Sequence, residues 1–529
     1  MSIFLASALE YAGDILALLN SGRRQTGYRF GATIGDCCEV ADHEAIGIPG
    51  QREARVHHEL SLLDHPKTNW VPPRRHASGK HVYDVLVVGG GQSGLGTLAM
   101  LRREKVGNIL GVDRNPAGRE GPWVTYARMH QLRTNKDITG PALGIPSLTP
   151  RAWFTARYSD SAWNALVRIP RLDWQEYLNW YRKVLDLPVR NDTEVGPLTP
   201  DQPDDPDSLI RVPLIATGPD GRTETVLARE VVLANGLEGC GVWHIPKILT
   251  DNLPSDRFAQ ANTEIDLATL RDKRVIVIGA NAGGFDAAAA VLEAGARSAD
   301  LLVRRDEIPK VNAHKPIDSV AWLKHFEDLD DASRWRLMVH VMRNNQPPPQ
   351  DTFDRANNLP GFRMREGAGL ATASMDGEDI LIETTVGDVL RADFVIAATG
   401  FKNDFSLRIE TSAIADEIAL WRDRYTPPAG EDWAPMGTYP YLDRSFAFTE
   451  KTPDNAPWLR HIHCFSLGTK PSLGLSAASA TAMRYGVPRL VQALTRQLFM
   501  DDAAHHANAL LRHDEEDLVI TPPTETPGN

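Results

Sequence analysis

Residues 84–94 read DVLVVGGGQSG, and residues 275–286 read VIVIGANAGGFD. Each is an apolar, largely β-branched run that enters a glycine-rich turn. Each is followed by a stretch with helical spacing and then by a second apolar run, NILGVDRN in the first case and SADLLVRRD in the second. A short apolar run bounded by turn residues reads as a buried strand. One chain therefore holds two strand–loop–helix–strand units.

The first loop fits G-x-G-x-x-G. Gly89 permits the tight turn, Gly91 lets backbone approach a pyrophosphate, and Gly94 lets the helix pack closely on the strand. Ser93 lies inside the loop, and the helix N-terminus that follows offers N–H groups and partial positive charge to phosphates. Asp113 ends the next strand, where a carboxylate accepts hydrogen bonds from ribose hydroxyls. The second loop keeps Gly279 and Gly284 but carries Asn281 in the middle. Asparagine tolerates left-handed backbone and offers a side-chain N–H to a phosphate. Where the first unit has Asp113, the second has Arg304 and Arg305, which favour a 2′-phosphate by charge and bidentate hydrogen bonding. The first site is thus read as FAD-binding and the second as NADPH-binding, with electrons passing between them.

EVVLANG precedes the second unit and DFVIAATGF follows it, and both read as buried strands. The predicted fold is α/β: two Rossmann-like dinucleotide-binding domains, the NADPH domain inserted in a discontinuous FAD domain. The expected boundaries are an N-terminal extension over 1–80, a first FAD segment over 81–250, the NADPH domain over 271–390, a return to the FAD domain over 391–500, and a flexible tail over 513–529. The proline-containing stretch at 65–81 reads as a linker, and NNQPPPQDTF at 344–353 as a surface loop. The region from about Lys310 to Phe362 is expected to cover the active site and, with the N-terminal extension, to select substrate.

The chain has 529 residues, 42% hydrophobic and 24% charged, with a formal net charge of −12. That length suits two or three domains. The acidic balance argues against a nucleic-acid or anionic-membrane partner. Four cysteines in so long a chain, Cys37, Cys38, Cys240 and Cys464, with no C-x-x-C pair among them, suggest no disulfide framework and fit a reducing cytoplasm. The N-terminal run MSIFLASALEYAGDILALLNSG lacks a basic start and is interrupted by Glu10 and Asp14, so it reads as an amphipathic helix rather than a signal peptide. His461 and His463 alternate as on one strand face, but two ligands make no metal site, and no metal is expected.

These motifs, over roughly residues 80–500, resemble the two-dinucleotide-binding-domain flavoproteins. Within them the chain is similar to the flavin-dependent monooxygenases, the class of flavin-containing, N-hydroxylating and Baeyer–Villiger monooxygenases. Gly121-Pro122-Trp123 matches the aromatic segment after the ribose acid, LRTN at 132–135 a Thr-Asn pair beside the flavin, DFVIAATGF at 393–401 a family fingerprint, and GTKPSLGLSAASATAMR the C-terminal flavin-contacting segment of the N-hydroxylating branch. The resemblance implies that FAD, reduced by NADPH, reacts with O2 to give a C4a-hydroperoxide that hydroxylates a nitrogen or sulfur of a small molecule. It implies a catalytic role for Asn135 and cofactor contacts from Trp123, Lys136, Gly400, Gly474 and Leu475. Departures are Asn281 and Gly283 in the second loop, Asn235 in place of a threonine, and Gln260 and Glu264 where a Baeyer–Villiger signature has glycine and histidine. The alternatives are a non-catalytic or redox-sensing FAD protein and Baeyer–Villiger oxygenation of a ketone.

Overall fold

The computed structural model of the protein describes residues 50–65, 68–218, 221–475, 477 and 479–521. All belong to the unit Gly47–Asn529. The N-terminal amphipathic helix and the Cys37-Cys38 pair expected from sequence lie outside the described residues.

The first glycine loop leaves the strand Val82–Val88, which pairs in parallel with Ile109–Val112 on one side and Thr223–Leu233 on the other. These are part of an eight-stranded sheet. Ile462–Cys464 adds to Thr223–Leu233 in parallel, while Ile210–Ala216 adds antiparallel. Val82–Val88 is buried along nearly its whole length. Parallel strands covered on both faces require such continuous apolar sequence. The helix Gln92–Arg103 packs on the helix Met483–Asp501 through Gly96, where a Cβ would lie 3.2 Å from Met483.

The second glycine loop leaves the strand Arg274–Ile278, at the centre of a five-stranded sheet whose pairings are all parallel. This sheet corrects two expected boundaries. Phe258–Gln260 and Phe394–Ala397 are both strands of it, so the inserted domain begins before residue 271 and ends after 391. The acid of the DFVIAATGF fingerprint explains why. Asp393 accepts hydrogen bonds from the Arg274 backbone N–H and guanidinium, both at 2.7 Å, and so pins the start of Phe394–Ala397 beside Arg274–Ile278. The crossings between the domains are a two-stranded antiparallel ribbon, Gly241–Trp243 going out and Phe401–Asn403 coming back. Gly241 is obligatory there, because a Cβ would sit 1.8 Å from the Lys402 carbonyl oxygen.

Two further expectations change. The helix Gln51–Leu62 buries Val56 and Leu60 in the core of the first domain, and Glu59 accepts from Ser147 Oγ at 2.6 Å, so the end of the supposed extension is part of that domain. The 310–362 region is not a loop. It holds the helices Val320–His325, Asp331–Asn344 and Gln350–Asn357, with Pro349 opening the last, where its missing N–H is harmless. Phe326, Trp335 and Met338 pack against Trp421, Met436 and Tyr439. Residues 513–521 have no regular secondary structure. Among the described residues no helix is long and apolar enough to cross a membrane.

Candidate active site

A cleft of about 530 Å³ runs along the C-terminal ends of the first sheet. Gly89, Gly91, Ser93 and Asp113 line it, as do Trp123, Phe465 and Ser466. Gly283 and Asp286, from the start of the helix Ala282–Glu293, line it too. The two nucleotide loops therefore face one cavity.

The first loop has the geometry of a phosphate cradle. Gly89 has φ +110° and its Cβ would meet the Ala234 carbonyl oxygen at 2.3 Å; a Cβ on Gly94 would meet the Gly89 carbonyl oxygen at 1.8 Å. Both must be glycine. A Cβ on Gly91 would meet nothing within 4 Å, because that face is open to the cleft. Gly91 is also the N-cap of Gln92–Arg103, so the free helix N–H groups point there. Asp113 accepts from the Gly90 and Asn115 backbone N–H groups, each at 2.8 Å, which fixes its carboxylate at the cleft wall. Burial pushes its carboxyl up, against those two hydrogen bonds.

The second loop is built differently from its expectation. Asn281 has φ −77°, an ordinary extended conformation, so left-handed tolerance is not why it is there. Its Oδ1 caps the helix by accepting from the Gly284 N–H at 3.0 Å, and its Nδ2 donates to the Ala398 carbonyl at 2.9 Å. The side chain binds protein at both ends rather than offering its N–H to a phosphate. Gly279 and Gly284 keep the close approach, with Cβ positions 2.5 Å from the Ala398 oxygen and 2.0 Å from the Gly279 oxygen. Arg304 and Arg305 are exposed just beyond the strand Ser298–Leu302. Arg305 donates to the Arg343 carbonyl at 2.7 Å.

Several residues named from sequence take local structural work instead. Asn135 is exposed and does not line the cleft; its Oδ1 accepts from the Asp137 N–H at 3.1 Å, while its neighbours Arg133 and Thr134 do line it. Lys136 donates to the carbonyls of Trp163 at 2.9 Å and Leu166 at 2.7 Å, closing the end of the helix Asp160–Ala165. Gly474 faces Phe326, with a Cβ position 3.1 Å away, and Leu475 packs with Leu323 and Ala482; the residues of this segment that line the cleft are Ala477, Ser479 and Ala480. Gly400 sits at the interdomain ribbon, its carbonyl accepting from the His244 N–H at 2.9 Å. No residue of 310–362 lines the cleft.

Other cleft residues had little or no sequence signal. Asn235, Glu238 and Glu410 line one wall, the two glutamates buried, and Asn235 Oδ1, Glu238 Oε2 and Glu410 Oε2 have no hydrogen-bond partner. Arg408 holds the other Glu410 oxygen at 2.6 Å. Buried polar atoms without partners are expensive, and a polar ligand in the cleft satisfies them. Only the ANG turn after a buried strand hinted at Asn235. Across the cleft, Asp286 joins the domains: it pairs with Arg133 at 2.7 Å and with Arg355 at 3.3 Å. His461 and His463 do share a face, but both turn to Glu230, at 2.9 and 2.8 Å. Among the described residues no group of three or more ligating side chains is placed to hold a metal.

An open glycine face at a helix N-terminus, a fixed acid after the next strand and partnerless buried oxygens along a long cleft fit an elongated dinucleotide, and a second such loop opens on the same cavity. This is the architecture of a flavoprotein with two dinucleotide-binding domains. The chain is 40% identical over 469 residues to an FAD-dependent urate hydroxylase from Xanthomonas campestris pv. campestris, an alignment covering 89% of this chain and 97% of that protein. Residues 157–338 match the family model of L-lysine 6-monooxygenase/L-ornithine 5-monooxygenase. Solved structures share the fold: the reduced form of an ornithine hydroxylase from Pseudomonas aeruginosa has a TM-score of 0.59 at 14% identity, covering 79% of this chain and 100% of that one. An FAD-bound cadaverine monooxygenase from Erwinia amylovora has a TM-score of 0.58 at 14% identity, covering 79% and 95%. The chain belongs to the FAD-dependent monooxygenase family that includes the urate hydroxylase. It is an enzyme of the FAD- and NADPH-dependent class, and the non-catalytic alternative is set aside.

Proposed function

We propose that this enzyme hydroxylates a small, planar, nitrogen-rich heterocycle of the urate type, with NADPH and O2 as co-substrates. The observation that carries the reading is the 40% identity that runs through 97% of the urate hydroxylase. Bound FAD supplies the redox chemistry and the activation of O2. The chain's own residues hold and enclose it. Gly89, Gly91, Ser93 and Gly94 admit the pyrophosphate to the helix N-terminus, and Asp113 accepts from the ribose. Asn235, Glu238 and Glu410 offer their unpartnered oxygens to hydrogen-bond donors of the cofactor. Trp123 stands edge-on to Trp174, with ring centroids 6.4 Å apart, and keeps water from that wall. Arg304 receives the 2′-phosphate of NADPH. The Arg133–Asp286–Arg355 bridge holds the two nucleotide loops facing each other, so that hydride donor and acceptor share one cavity.

The test follows urate and NADPH absorbance together in oxygenated buffer. Equimolar loss of both, with urate accelerating NADPH oxidation at least tenfold, is the expected result. A second reading, N-hydroxylation of a primary amine, draws on the match of residues 157–338 to the lysine/ornithine monooxygenase model. Indifference to urate with stimulation by ornithine or lysine overturns the first reading in favour of the second.

A further inference from the structure

Behind the cleft wall the fold brings together two cysteines that lie 224 residues apart in sequence. Cys240 follows the cleft-lining residues Asn235 and Glu238, and Cys464 precedes the cleft-lining Phe465 and Ser466. Both thiols are buried, at 2% and 1% exposure, and their Sγ atoms are 3.6 Å apart. Ser466 Oγ bridges them, 3.5 Å from Cys240 Sγ and 3.3 Å from Cys464 Sγ. The pair is thus one residue layer from the cavity in which O2 is reduced. Gly468 makes room for it: a Cβ there would lie 2.1 Å from Cys240 Sγ and 3.1 Å from Cys464 Sγ. The pair is also asymmetric. The hydrogen bond from Cys240 pulls the Cys464 thiol down, with Ser466 helping and burial opposing, while the same contact and burial push Cys240 up. The shorter Ser466 contact also falls on Cys464, at 3.3 Å against 3.5 Å for Cys240, and Cys464 is assigned as the attacking sulfur and Cys240 as the resolving one.

We propose that Cys240 and Cys464 are a redox-active dithiol that is oxidised to a disulfide by hydrogen peroxide, the by-product of NADPH oxidation when no substrate is present. The Cys464 sulfur attacks one peroxide oxygen. An S–O bond forms, the O–O bond breaks, and the departing hydroxide takes the Cys464 proton and leaves as water. The Cys240 sulfur then attacks the Cys464 sulfenic acid. The S–S bond forms, the S–O bond breaks, and the second hydroxide leaves as water with the Cys240 proton. Two thiols and one peroxide give one disulfide and two waters, and the two electrons come from the sulfurs. The sulfurs must close from 3.6 Å to about 2.05 Å. The bond ties the segment after the strand Thr223–Leu233 to the end of the strand Ile462–Cys464, and residues of that segment and those that follow Cys464 wall the cleft.

The test uses the full-length holoenzyme. One sample receives hydrogen peroxide, and a second turns over NADPH without substrate, with and without catalase. Each is alkylated in denaturant, digested without reductant and mapped by mass spectrometry. A Cys240–Cys464 linked peptide, two hydrogens lighter than the sum of its parts, is expected to rise from trace to most of the Cys240 signal in both samples, to vanish on reduction and to be suppressed by catalase. The Cys464→Ser and Cys464→Ala proteins should leave Cys240 alkylatable under the same treatment. Oxidation confined to Cys37, Cys38 or methionine, or terminal oxidation of Cys464 without linkage, overturns the proposal. Linkage that catalase does not suppress overturns peroxide as the oxidant.

Discussion

Replacing Glu230 with glutamine tests the buried network behind the cleft. Glu230 is fully buried on the strand Thr223–Leu233 and receives His461 Nδ1 at 2.9 Å and His463 Nε2 at 2.8 Å. The other nitrogens of the two rings face the Pro206 carbonyl at 3.0 Å and the Ser445 carbonyl at 2.8 Å. Every ring nitrogen thus has a partner; Arg460 Nε, 3.4 Å from His461 Nε2, is the one donor aimed at these rings, and Glu230 is the acceptor they share. Burial alone would push the Glu230 carboxyl up. The His461 charge and the hydrogen bonds of His461 and His463 outweigh it and hold the carboxyl at about 2, against an ordinary 4.5. That depression corresponds to ~3 kcal/mol of native-state stabilisation, at the lower end of the roughly 3–5 kcal/mol lost when a buried charge loses its partner. In a unit as large as Gly47–Asn529, 1 kcal/mol moves Tm by less than the roughly 2–4 °C of a 150–250-residue domain, so Glu230→Gln should lower Tm by about 3–6 °C.

The pH dependence gives a second readout. Glu230 is depressed, so its contribution is present above about 4.5 and is lost as pH falls toward 2. Burial opposes the charge on His461, but Glu230 prevails and raises that imidazole above 6.5, so its contribution is present below 6.5 and fades as pH climbs through the raised value. The network is strongest between about 4.5 and 6.5. Melting curves read by circular dichroism and by release of flavin fluorescence, at pH 5.5 and 8, should show the wild type losing stability at the higher pH. The variant should be flatter over that interval. Equal Tm values, or equal pH slopes, would refute an ionised Glu230–His461 pair.

Other substitutions probe the cofactor sites and the reassigned residues. Gly94→Ala places a methyl 1.8 Å from the Gly89 carbonyl oxygen, an encounter between backbone atoms that side-chain motion cannot relieve, so the flavin-to-protein ratio after purification should drop at least tenfold; normal flavin content would show that the loop is not a tight cradle. Arg304→Ala should raise the KM for NADPH by about 10- to 100-fold, the equivalent of a lost charge-assisted hydrogen bond, and leave that for NADH nearly unchanged; equal effects on both would remove Arg304 from the 2′-phosphate. Lys136→Met should lower Tm by a few degrees through loss of its bonds to the Trp163 and Leu166 carbonyls, with the dissociation constant for FAD unchanged. Asn135→Ala should keep kcat within about twofold, since the side chain faces its own loop rather than the cleft; a hundredfold loss would place it at the reacting atoms.

The sequence alone determined the two nucleotide units, their order and the insertion of one in the other. Those features are written locally: β-branched runs buried on both faces, glycines where backbone meets backbone, and an acid or an arginine just past the next strand. The DFVIAATGF stretch was visible as a strand, but its sheet was not, because a buried parallel strand looks the same in either domain until Asp393 is seen bonded to Arg274. Asn281 was legible as a departure. Its purpose was not, since capping Gly284 and reaching Ala398 depends on a carbonyl 117 positions away. Lys136 and Asn135 read as functional from a motif, and tertiary geometry gave them carbonyls and a loop N–H to hold. The 310–362 region read as a loop because of its prolines, whereas the packing of Trp335 against Trp421 needs a partner from far along the chain. Tertiary structure alone decided the contacts that cross the insertion: Asp286 with Arg133, Glu230 with its two histidines, and Cys240 beside Cys464. Such pairs carry no local pattern, because they meet only when strands distant in sequence lie side by side.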